Sequence, residues 1–266
     1  MAVSRSQGAP CTGAFLFFCV LALASLTAWN ESGAAGRANT QAVRVADVVD
    51  GDTVILSDRR HVRLIGINAP ETGKRKRKRG SVDQPLARAA QTYLRELVSG
   101  KGVRLELGPE RHDRYGRTLA HLWLPDGRNV QELLLARGLA AVVAIPPNIG
   151  QLKRYQGAER RARANHLGIW GHPYYTPIAA AQLQAKDRGF RFVHGRIRKI
   201  WRSRKYIYLE LSPSLNVMVP RGDWAYFREG PEDLVGRDIT VRGWVTRYKD
   251  SLRIRAGHPA MLGLVY

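Results

Sequence analysis

The sequence predicts a mainly β protein with a few helices, an α+β fold in which two small barrels follow one another. Short runs rich in β-branched and aromatic residues recur along the 266-residue chain, separated by glycine, proline and aspartate turns. Three stretches between residues 85 and 166 instead repeat apolar residues at helical spacing. A chain of this length is sufficient for two domains that each bury a hydrophobic core.

The first predicted unit begins with three strands, at 43–49, 53–57 and 61–67. Asp50-Gly51 lies between two β-branched runs, which is typical of a hairpin turn. The third strand is followed by Asn68-Ala69-Pro70-Glu71, where Pro70 favours an extended exit from the strand. We therefore expect Asn68 and Glu71 to lie together at the end of a strand.

A helix is predicted at 85–98, because Pro85 suits a first helical turn and an apolar face follows it. Further elements complete this unit: strands at 102–107 and 118–124 and helices at 129–137 and 151–166. Five strands with about three helices are typical of the five-stranded oligonucleotide/oligosaccharide-binding (OB) barrel. We assign this unit to residues 43–172.

A second unit is predicted at 188–266, after a linker at 173–187. Its five strand-like runs are His194–Trp201, Tyr206–Leu211, Asn216–Pro220, Asp238–Val245 and Ser251–Arg255. They predict a second, smaller OB-like barrel. Aromatic residues alternate with cations along these runs, an arrangement suited to stacking the bases of a single strand, although rings in strands also serve as core.

The first 35 residues are predicted to be a signal peptide, joined to the first barrel by a linker at 36–42. Arg5 precedes an apolar run, Ala14–Ala28, that is shorter than a membrane-spanning helix. This leader predicts export to the periplasm or the medium; an uncleaved signal anchor with transient membrane contact is the alternative. Both cysteines, Cys11 and Cys19, lie in the leader, so an exported mature chain would contain no thiol.

The chain is strongly basic, with 43 Lys and Arg against 22 Asp and Glu and a formal net charge of +21. Such a charge attracts polyanions, either nucleic acids or anionic membranes and polysaccharides. Six consecutive basic residues between Gly73 and Gly80 include Lys74, Arg75 and Lys76. Because this run follows Glu71 directly, we expect it to form a rim that binds a phosphate backbone, although a solvated loop has the same composition.

Candidate functional residues occur in three short motifs. Asp52 follows the first turn, and Arg63 lies within an otherwise apolar strand that ends at Asn68 and Glu71. A second arginine closes the motif Asp113-Arg114-Tyr115-Gly116-Arg117. Oxygen ligands suit hard cations, and planar guanidinium groups suit phosphates. Each feature alone is more often structural, so the combination carries the functional hypothesis.

Together, the three motifs resemble those of the micrococcal-type thermonuclease family of calcium-dependent nucleases. The resemblance covers roughly Val43 to Trp170, with the motifs in the family's order. The resemblance implies an OB-type barrel and a metal site formed by Asp52, Asn68 and the Ala69 carbonyl, with Asp50 supporting them. It assigns catalysis to Arg63, Glu71 and Arg117. It also assigns the binding of a terminal phosphate to Arg114 and Tyr115. Glu71 matches the general base, and the two catalytic arginines match the groups that bind the reacting phosphate.

Two residues depart from the family pattern. Asn68 stands where the family's strongest form has an aspartate, so the metal site loses one negative charge. The tyrosine that flanks the nucleotide has no counterpart, because Ala144-Ile145-Pro146 occupies that region.

The sequence therefore predicts an exported nuclease that uses Ca²⁺ or another divalent cation and hydrolyses DNA and RNA with little base specificity, with single strands as the preferred substrate. An alternative is a catalytically weak nucleic-acid-binding protein built on the nuclease barrel. A third hypothesis is a basic envelope protein that binds anionic polymers and needs none of these residues. No Gly-x-Ser-x-Gly or Gly-x-x-x-x-Gly-Lys-Ser/Thr motif supports other hydrolase chemistries.

Overall fold

A computed structural model describes residues 40–73 and 82–264. The predicted leader and the basic residues Lys74, Arg75 and Lys76 lie outside the described residues. The described part belongs to one compact unit. Its helices are α1 (Ala87–Val98), α2 (Val130–Ala136) and α3 (Leu152–Ala164). None of its helices is long and apolar enough to cross a membrane.

Five longer strands and three two-residue strands belong to the first predicted unit and to its junction with the second. They are β1 (Thr40–Asp50), β2 (Thr53–Leu56), β3 (His61–Leu64), β4 (Ile67–Asn68), β5 (Gly102–His112), β6 (Thr118–Trp123), β7 (Ala141–Val142) and β8 (Ile178–Ala179). The predicted strand at 61–67 is thus interrupted after Leu64, and Gly66 in the interruption has a positive φ of 84°.

Strands β1, β2, β3, β6 and β5 form a closed barrel in that order. Neighbouring strands are antiparallel except β3 and β6, which run parallel and place Arg63 opposite Leu119. The barrel encloses apolar side chains such as Val54, Leu64, Leu105 and Leu122. In most strands they alternate with more exposed residues, whereas all residues of β6 are buried. The predicted five-stranded α+β barrel is confirmed.

The three helices pack against this barrel with one apolar face each. In α1 this face includes Ala90, Leu94 and Leu97, which are buried. The helix starts after the predicted position, because Leu86 has a left-handed backbone with a φ of 66°. The Asn129 side chain accepts a hydrogen bond from the Glu132 backbone N–H at 2.9 Å and caps α2.

The second half of the chain forms a seven-stranded sheet in the order β10-β11-β12-β14-β13-β9-β8. Its strands are β9 (Gly189–Arg196), β10 (Lys199–Arg202), β11 (Tyr206–Ser212), β12 (Leu215–Pro220), β13 (Asp238–Tyr248) and β14 (Ser251–Arg255). The segment predicted as one strand at 194–201 is split, and a 3₁₀ helix, Arg221–Tyr226, follows β12. Strand β8, in the predicted linker, adds to the sheet beside β9.

Strands β9 and β10 follow each other along the chain, although they lie far apart in the strand order of this sheet. Only Ile197 and Arg198 separate β9, which pairs with β13, from β10, which pairs with β11. The Ile197 backbone N–H donates to Arg237 O at 2.9 Å, and the Arg198 N–H donates to Glu210 O at 2.8 Å. One bent strand therefore serves both edges, and the strand order matches that of the first barrel, with β12 and β14 as its parallel pair.

The two barrels share buried contacts. Ala141, Val143 and Ala144 of the first half belong to the hydrophobic core of the second. Glu159 on α3 forms an ion pair with Arg242 on β13, with an N–O distance of 2.7 Å, and both side chains are buried. The same glutamate accepts a hydrogen bond from the Val142 N–H at 2.7 Å. The boundary predicted at 173–187 stays a prediction, but residues on both sides of it pack together.

Candidate active site

The turn between β1 and β2 carries two buried acids, Asp50 and Asp52, each 2% exposed. Between them, Gly51 packs so tightly that an added Cβ would lie 2.6 Å from the Cβ of Ala90 on α1 and 2.7 Å from that of Ala69. Any larger residue would push the turn away from the helix. The glycine thus allows α1 to cover the turn and to remove both carboxyl groups from water.

Asp52 lies at the centre of the hydrogen-bonding network. Its Oδ2 accepts a hydrogen bond from the Ala69 backbone N–H at 2.8 Å, and its Oδ1 accepts one from the Thr53 hydroxyl at 3.1 Å. The Asp52 backbone N–H donates to Asp50 Oδ1 at 3.2 Å, which ties the two acids together. These contacts orient one oxygen of Asp52 towards the strand end that carries Asn68.

Arg63 joins two of the predicted metal ligands. Its Nη2 lies 2.9 Å from Asp52 Oδ2 and donates to Asn68 Oδ1 at 3.3 Å, while its Nη1 donates to Leu64 O at 2.7 Å. One nitrogen atom therefore contacts an oxygen of each side chain. The two oxygens therefore converge on a single cationic nitrogen, Arg63 Nη2.

The charge of Asp52 is unfavourable without a cation. Burial, together with the negative charges of Asp50 and Glu71, raises the pKa of Asp52 to about 7 against the attraction of Arg63 and the hydrogen bond from the Ala69 N–H. A bound divalent cation would favour the ionised form of Asp52.

Glu71 lies at the mouth of the loop that follows the site. Its backbone N–H donates to Gln84 Oε1 at 2.9 Å, and the Gln84 N–H donates back to Glu71 O at 3.0 Å. Two residues further out, the Gly73 N–H donates to Asp83 Oδ1 at 2.6 Å. These paired bonds hold the two ends of the loop together, so Glu71 has a defined backbone position at the strand exit.

The second arginine motif closes the turn between β5 and β6. Asp113 Oδ1 accepts hydrogen bonds from the backbone N–H groups of Tyr115 and Arg117, and its Oδ2 accepts one from Arg117 Nε at 2.7 Å. Although burial opposes it, these bonds hold the pKa of Asp113 below its ordinary value. Arg117 Nη1 is buried and has no hydrogen-bond partner in the described part of the chain. An unsatisfied guanidinium N–H at this place suits an anionic ligand.

The parallel pairing of β3 and β6 brings the two arginines to one side of the barrel. Arg63 lies opposite Leu119, two residues after Arg117. Arg117 directly precedes β6, so this pairing places the backbones of the two arginines close together. In the same turn, Arg114 Nη2 donates to the Tyr115 hydroxyl at 2.7 Å, and the Tyr115 side chain is exposed.

The oxygen atoms near Asp52 are candidate ligands for a divalent cation. Within residues 40–73 and 82–264, no group of three or more His, Cys, Asp or Glu side chains is arranged to hold a metal ion. The predicted set is of another kind, with one carboxylate, one amide oxygen and the Ala69 carbonyl, to which Asn68 Nδ2 donates at 3.3 Å. All are oxygen donors, and the oxygens of Asp52 and Asn68 converge, so the residues fit a hard cation such as Ca²⁺.

Sequence reasoning overlooked the residues that position the predicted ones. Asp113 orients Arg117, and Gln84 with Asp83 closes the mouth of the loop after Glu71. The contact between Asp113 and Arg117 could have been predicted, because Asp113 lies four residues before Arg117 across a glycine turn. Gln84 and Asp83 follow a run of basic residues, and nothing in their local pattern indicates hydrogen bonds to a strand exit.

Comparison with known proteins supplies the family. The thermonuclease of Staphylococcus hyicus is 32% identical over 170 residues, which cover 60% of this chain and 97% of that protein. This chain belongs to the thermonuclease family. The family model described as staphylococcal nuclease homologue matches residues 61–172, which contain Arg63, Asn68, Glu71 and Arg117.

Two further relatives agree with this assignment. The thermonuclease of Staphylococcus intermedius is 39% identical over 131 residues, covering 47% of this chain and 74% of that protein. The SPbeta prophage-derived endonuclease YokF of Bacillus subtilis is 35% identical over 147 residues, covering 53% of this chain and 45% of that protein. The resemblance identified from the three motifs is thereby confirmed. The family-model match ends at residue 172, before the second barrel.

Proposed function

We propose that this protein is a nuclease that hydrolyses phosphodiester bonds of DNA and RNA and depends on a divalent cation, with calcium as the first candidate. The observation that carries the proposal is that oxygens of Asp52 and Asn68 converge on one cationic nitrogen, Nη2 of Arg63, so the two side chains can share a positive group. Relatives named thermonuclease and endonuclease support it. The buried, unpartnered Nη1 of Arg117 supplies a second group suited to phosphate.

Each residue has a chemical task in this proposal. Asp52, Asn68 and the Ala69 carbonyl would hold the cation, which when bound makes water more acidic and offsets phosphate charge. Glu71 takes a proton from water as the water oxygen bonds to phosphorus, and the opposite P–O bond breaks with the electron pair leaving on the ester oxygen. Arg63 and Arg117 donate hydrogen bonds to the phosphoryl oxygens that gain charge.

The substrate range follows from which groups are available. The residues assigned to the site address phosphate rather than base edges, so cleavage should depend little on sequence. Single strands are the proposed preference, because a flexible chain can bend its phosphate into a site at a strand edge. The apolar leader supports export, and calcium is abundant outside cells, where a site with few charges can still be filled.

A second candidate function is a nucleic-acid-binding protein with little or no catalysis. Asn68 favours it, because an amide compensates less of the ion's lost hydration than a carboxylate does. Arg63, Glu71 and Arg117 favour the nuclease, because binding alone requires no general base.

The two candidates differ in a cleavage assay. We would incubate the protein with labelled single-stranded DNA, RNA and duplex DNA in calcium, in other divalent cations and in chelator. Arg117→Lys keeps the charge but loses the planar fork, and Arg128→Lys is the matched control, because Arg128 pairs with Asp126 on an exposed turn of the same barrel. Cation-dependent cleavage that falls only in Arg117→Lys supports the nuclease. Binding without cleavage in every cation supports the second candidate.

A further inference from the structure

The outer surface of the second barrel carries a row of polar and aromatic side chains that is separate from the residues assigned above. One residue from each of five adjacent strands belongs to it: Trp201, Tyr208, Asn216, Arg253 and Tyr248. We call this set the aromatic face. Three of its residues, Tyr208, Asn216 and Arg253, directly precede the buried core residues Leu209, Val217 and Ile254, so their side chains lie on the opposite, outer side of the strands. Trp201 and Tyr248 are exposed, whereas Tyr208 is only 7% exposed.

One end of the aromatic face is a stacked pair of rings. Trp201 and Tyr208 lie parallel, with ring centroids 3.6 Å apart and an interplanar angle of 4°. Trp201 Nε1 donates a hydrogen bond to Asn216 Oδ1 at 3.3 Å, which restrains the indole in this orientation. Trp201 is nevertheless 38% exposed, so a large apolar ring with one side covered is held open to solvent.

Arg253 connects this pair to the other end of the face. Its guanidinium carbon lies 3.8 Å from the centroid of the Tyr248 ring and 5.8 Å from that of Tyr208. Tyr248 is 50% exposed. The Nε of Arg253 is buried without a hydrogen-bond partner among the described residues. The cation thus forms cation–π contacts with two rings, and a cation beside open rings suits an anionic polymer that carries rings of its own.

The surroundings of the aromatic face are basic. Exposed cations lie on the same strands and turns: Lys199, Arg204, Lys205, Lys249 and Arg255. None of these five side chains forms an ion pair with another residue in the part of the chain that the structure describes. The acids nearby in sequence are fewer, Glu210 and Asp250, and Asp250 lies 3.8 Å from Arg247. Positive charge around open rings is complementary to a phosphate backbone with unstacked bases.

We propose that the aromatic face binds single-stranded nucleic acid by stacking bases on Trp201 and Tyr248 while the surrounding cations contact phosphates. A duplex hides the faces of its bases, so it would meet the cations but not the rings. The proposal goes beyond the nuclease activity, because no residue of the phosphodiesterase site takes part. It assigns to the second barrel the task of holding the strand that the first barrel is proposed to cleave.

The test measures binding with cleavage disabled. The full chain carrying Glu71→Gln is titrated in chelator against a fluorescein-labelled oligothymidylate, and fluorescence anisotropy gives the dissociation constant. Trp201→Ala should weaken binding about tenfold, the usual scale for removing one stacking platform, and Trp201→Phe should retain most of the affinity. Tyr226→Ala is the matched control, because Tyr226 is 39% exposed but lies outside the aromatic face. Circular dichroism confirms that each variant is folded.

The outcomes separate this proposal from the nuclease proposal. Duplex DNA should bind more weakly than the oligothymidylate, and Trp201→Ala should not change the affinity for the duplex. If the double variant Trp201→Ala, Tyr248→Ala binds the single strand as tightly as the control does, the aromatic face is not the binding site. Hydrolysis of bis(p-nitrophenyl) phosphate by the Trp201→Ala chain reports on the nuclease site alone, because this small diester cannot reach both places.

Discussion

In the first barrel, the turn between the first two strands holds Asp50 and Asp52 beneath α1, and both acids are buried. In the second barrel, the corresponding turn carries Arg204 and Lys205, and both are exposed. The strand order is the same, and so is the position of the one parallel pair. The difference arises from what covers the turn, because a long helix packs on the first and only short 3₁₀ helices follow the third strand of the second.

This comparison separates architecture from function. A covered turn can keep carboxylates out of water and shift their pKa values, which supports chemistry at phosphate. An uncovered turn leaves charges solvated and useful for attracting a polyanion. The same barrel topology therefore serves two tasks, and the residues at one turn and one face decide which.

The largest expected effect concerns the buried ion pair between Arg242 and Glu159, which connects the two barrels. Arg242→Ala leaves the buried Glu159 carboxylate without its cation and should lower the free energy of unfolding by about 3–5 kcal/mol. Arg242→Met with Glu159→Leu should lose less, because no buried charge remains. Urea unfolding measures both. A control, Arg196→Ala, removes an exposed pair with Asp238 and should change the free energy of unfolding far less, because solvent screens that pair. Equal losses in the Arg242 and Arg196 variants would contradict a stabilising role for the buried pair.

Removal of the second phosphate-binding arginine should give the next largest effect. Arg117→Ala should reduce the turnover number by about a hundredfold to a thousandfold, since one donor to the charged phosphoryl oxygens is lost. Steady-state cleavage of a labelled oligonucleotide provides the measurement. Arg196→Ala, in the second barrel, serves as the control and should keep the wild-type rate. If both variants cleave equally fast, Arg117 does not act at the reacting phosphate.

The first barrel also buries a titratable group in its interior. Burial lowers the pKa of His121 from 6.5 to about 4, and its Nδ1 lies 2.6 Å from the Tyr155 hydroxyl. The folded state therefore resists protonation that the unfolded chain accepts below pH 6.5. Stability should be complete above this value and fall as the pH drops towards 4, by about 3 kcal/mol in total.

Urea unfolding at several pH values tests this dependence. His121→Gln keeps a polar group beside Tyr155 and should flatten the curve between these two pKa values. His194→Gln, which changes an exposed histidine of the second barrel, should leave it unchanged. A curve that is equally steep in His121→Gln and in the wild type would assign the pH dependence to other groups.

The smallest expected effect comes from restoring an aspartate at position 68, where this chain has Asn68 in place of the family's aspartate. Asn68→Asp adds a negative charge beside Asp52 and should tighten calcium binding about tenfold, or about 1.4 kcal/mol. Titration calorimetry of both forms measures the affinity directly, with Asn165→Asp at an exposed helix end as the charge-matched control. Calcium affinity that is equal or weaker in the Asn68→Asp form would show that Asn68 is not a ligand, and the site would then rest on Asp52.

The sequence predicted the parts of the molecule that depend on neighbours in the chain. Turn residues such as Asp50-Gly51 mark hairpins through local backbone chemistry, and strand and helix periodicities need only a few consecutive residues. The α+β class and the first barrel followed from such patterns, and the family followed from the resemblance of the three motifs; all are confirmed. The assignments of Arg63, Glu71 and Arg117 to catalysis stay predictions until the variants above are measured.

What only the tertiary structure decided involves residues far apart in the chain. Glu159 and Arg242 meet across 83 positions, and each has a local sequence context that suits an exposed side chain equally well. The interruption between β9 and β10, which lets one bent strand pair with both β13 and β11, likewise depends on partners at both edges. The contact of Arg63 with Asp52 and Asn68 is of the same kind, because it forms only when the turn, the strand and the strand exit are packed beneath α1. Local propensity determined the elements, whereas burial and pairing between distant segments determined which charges meet.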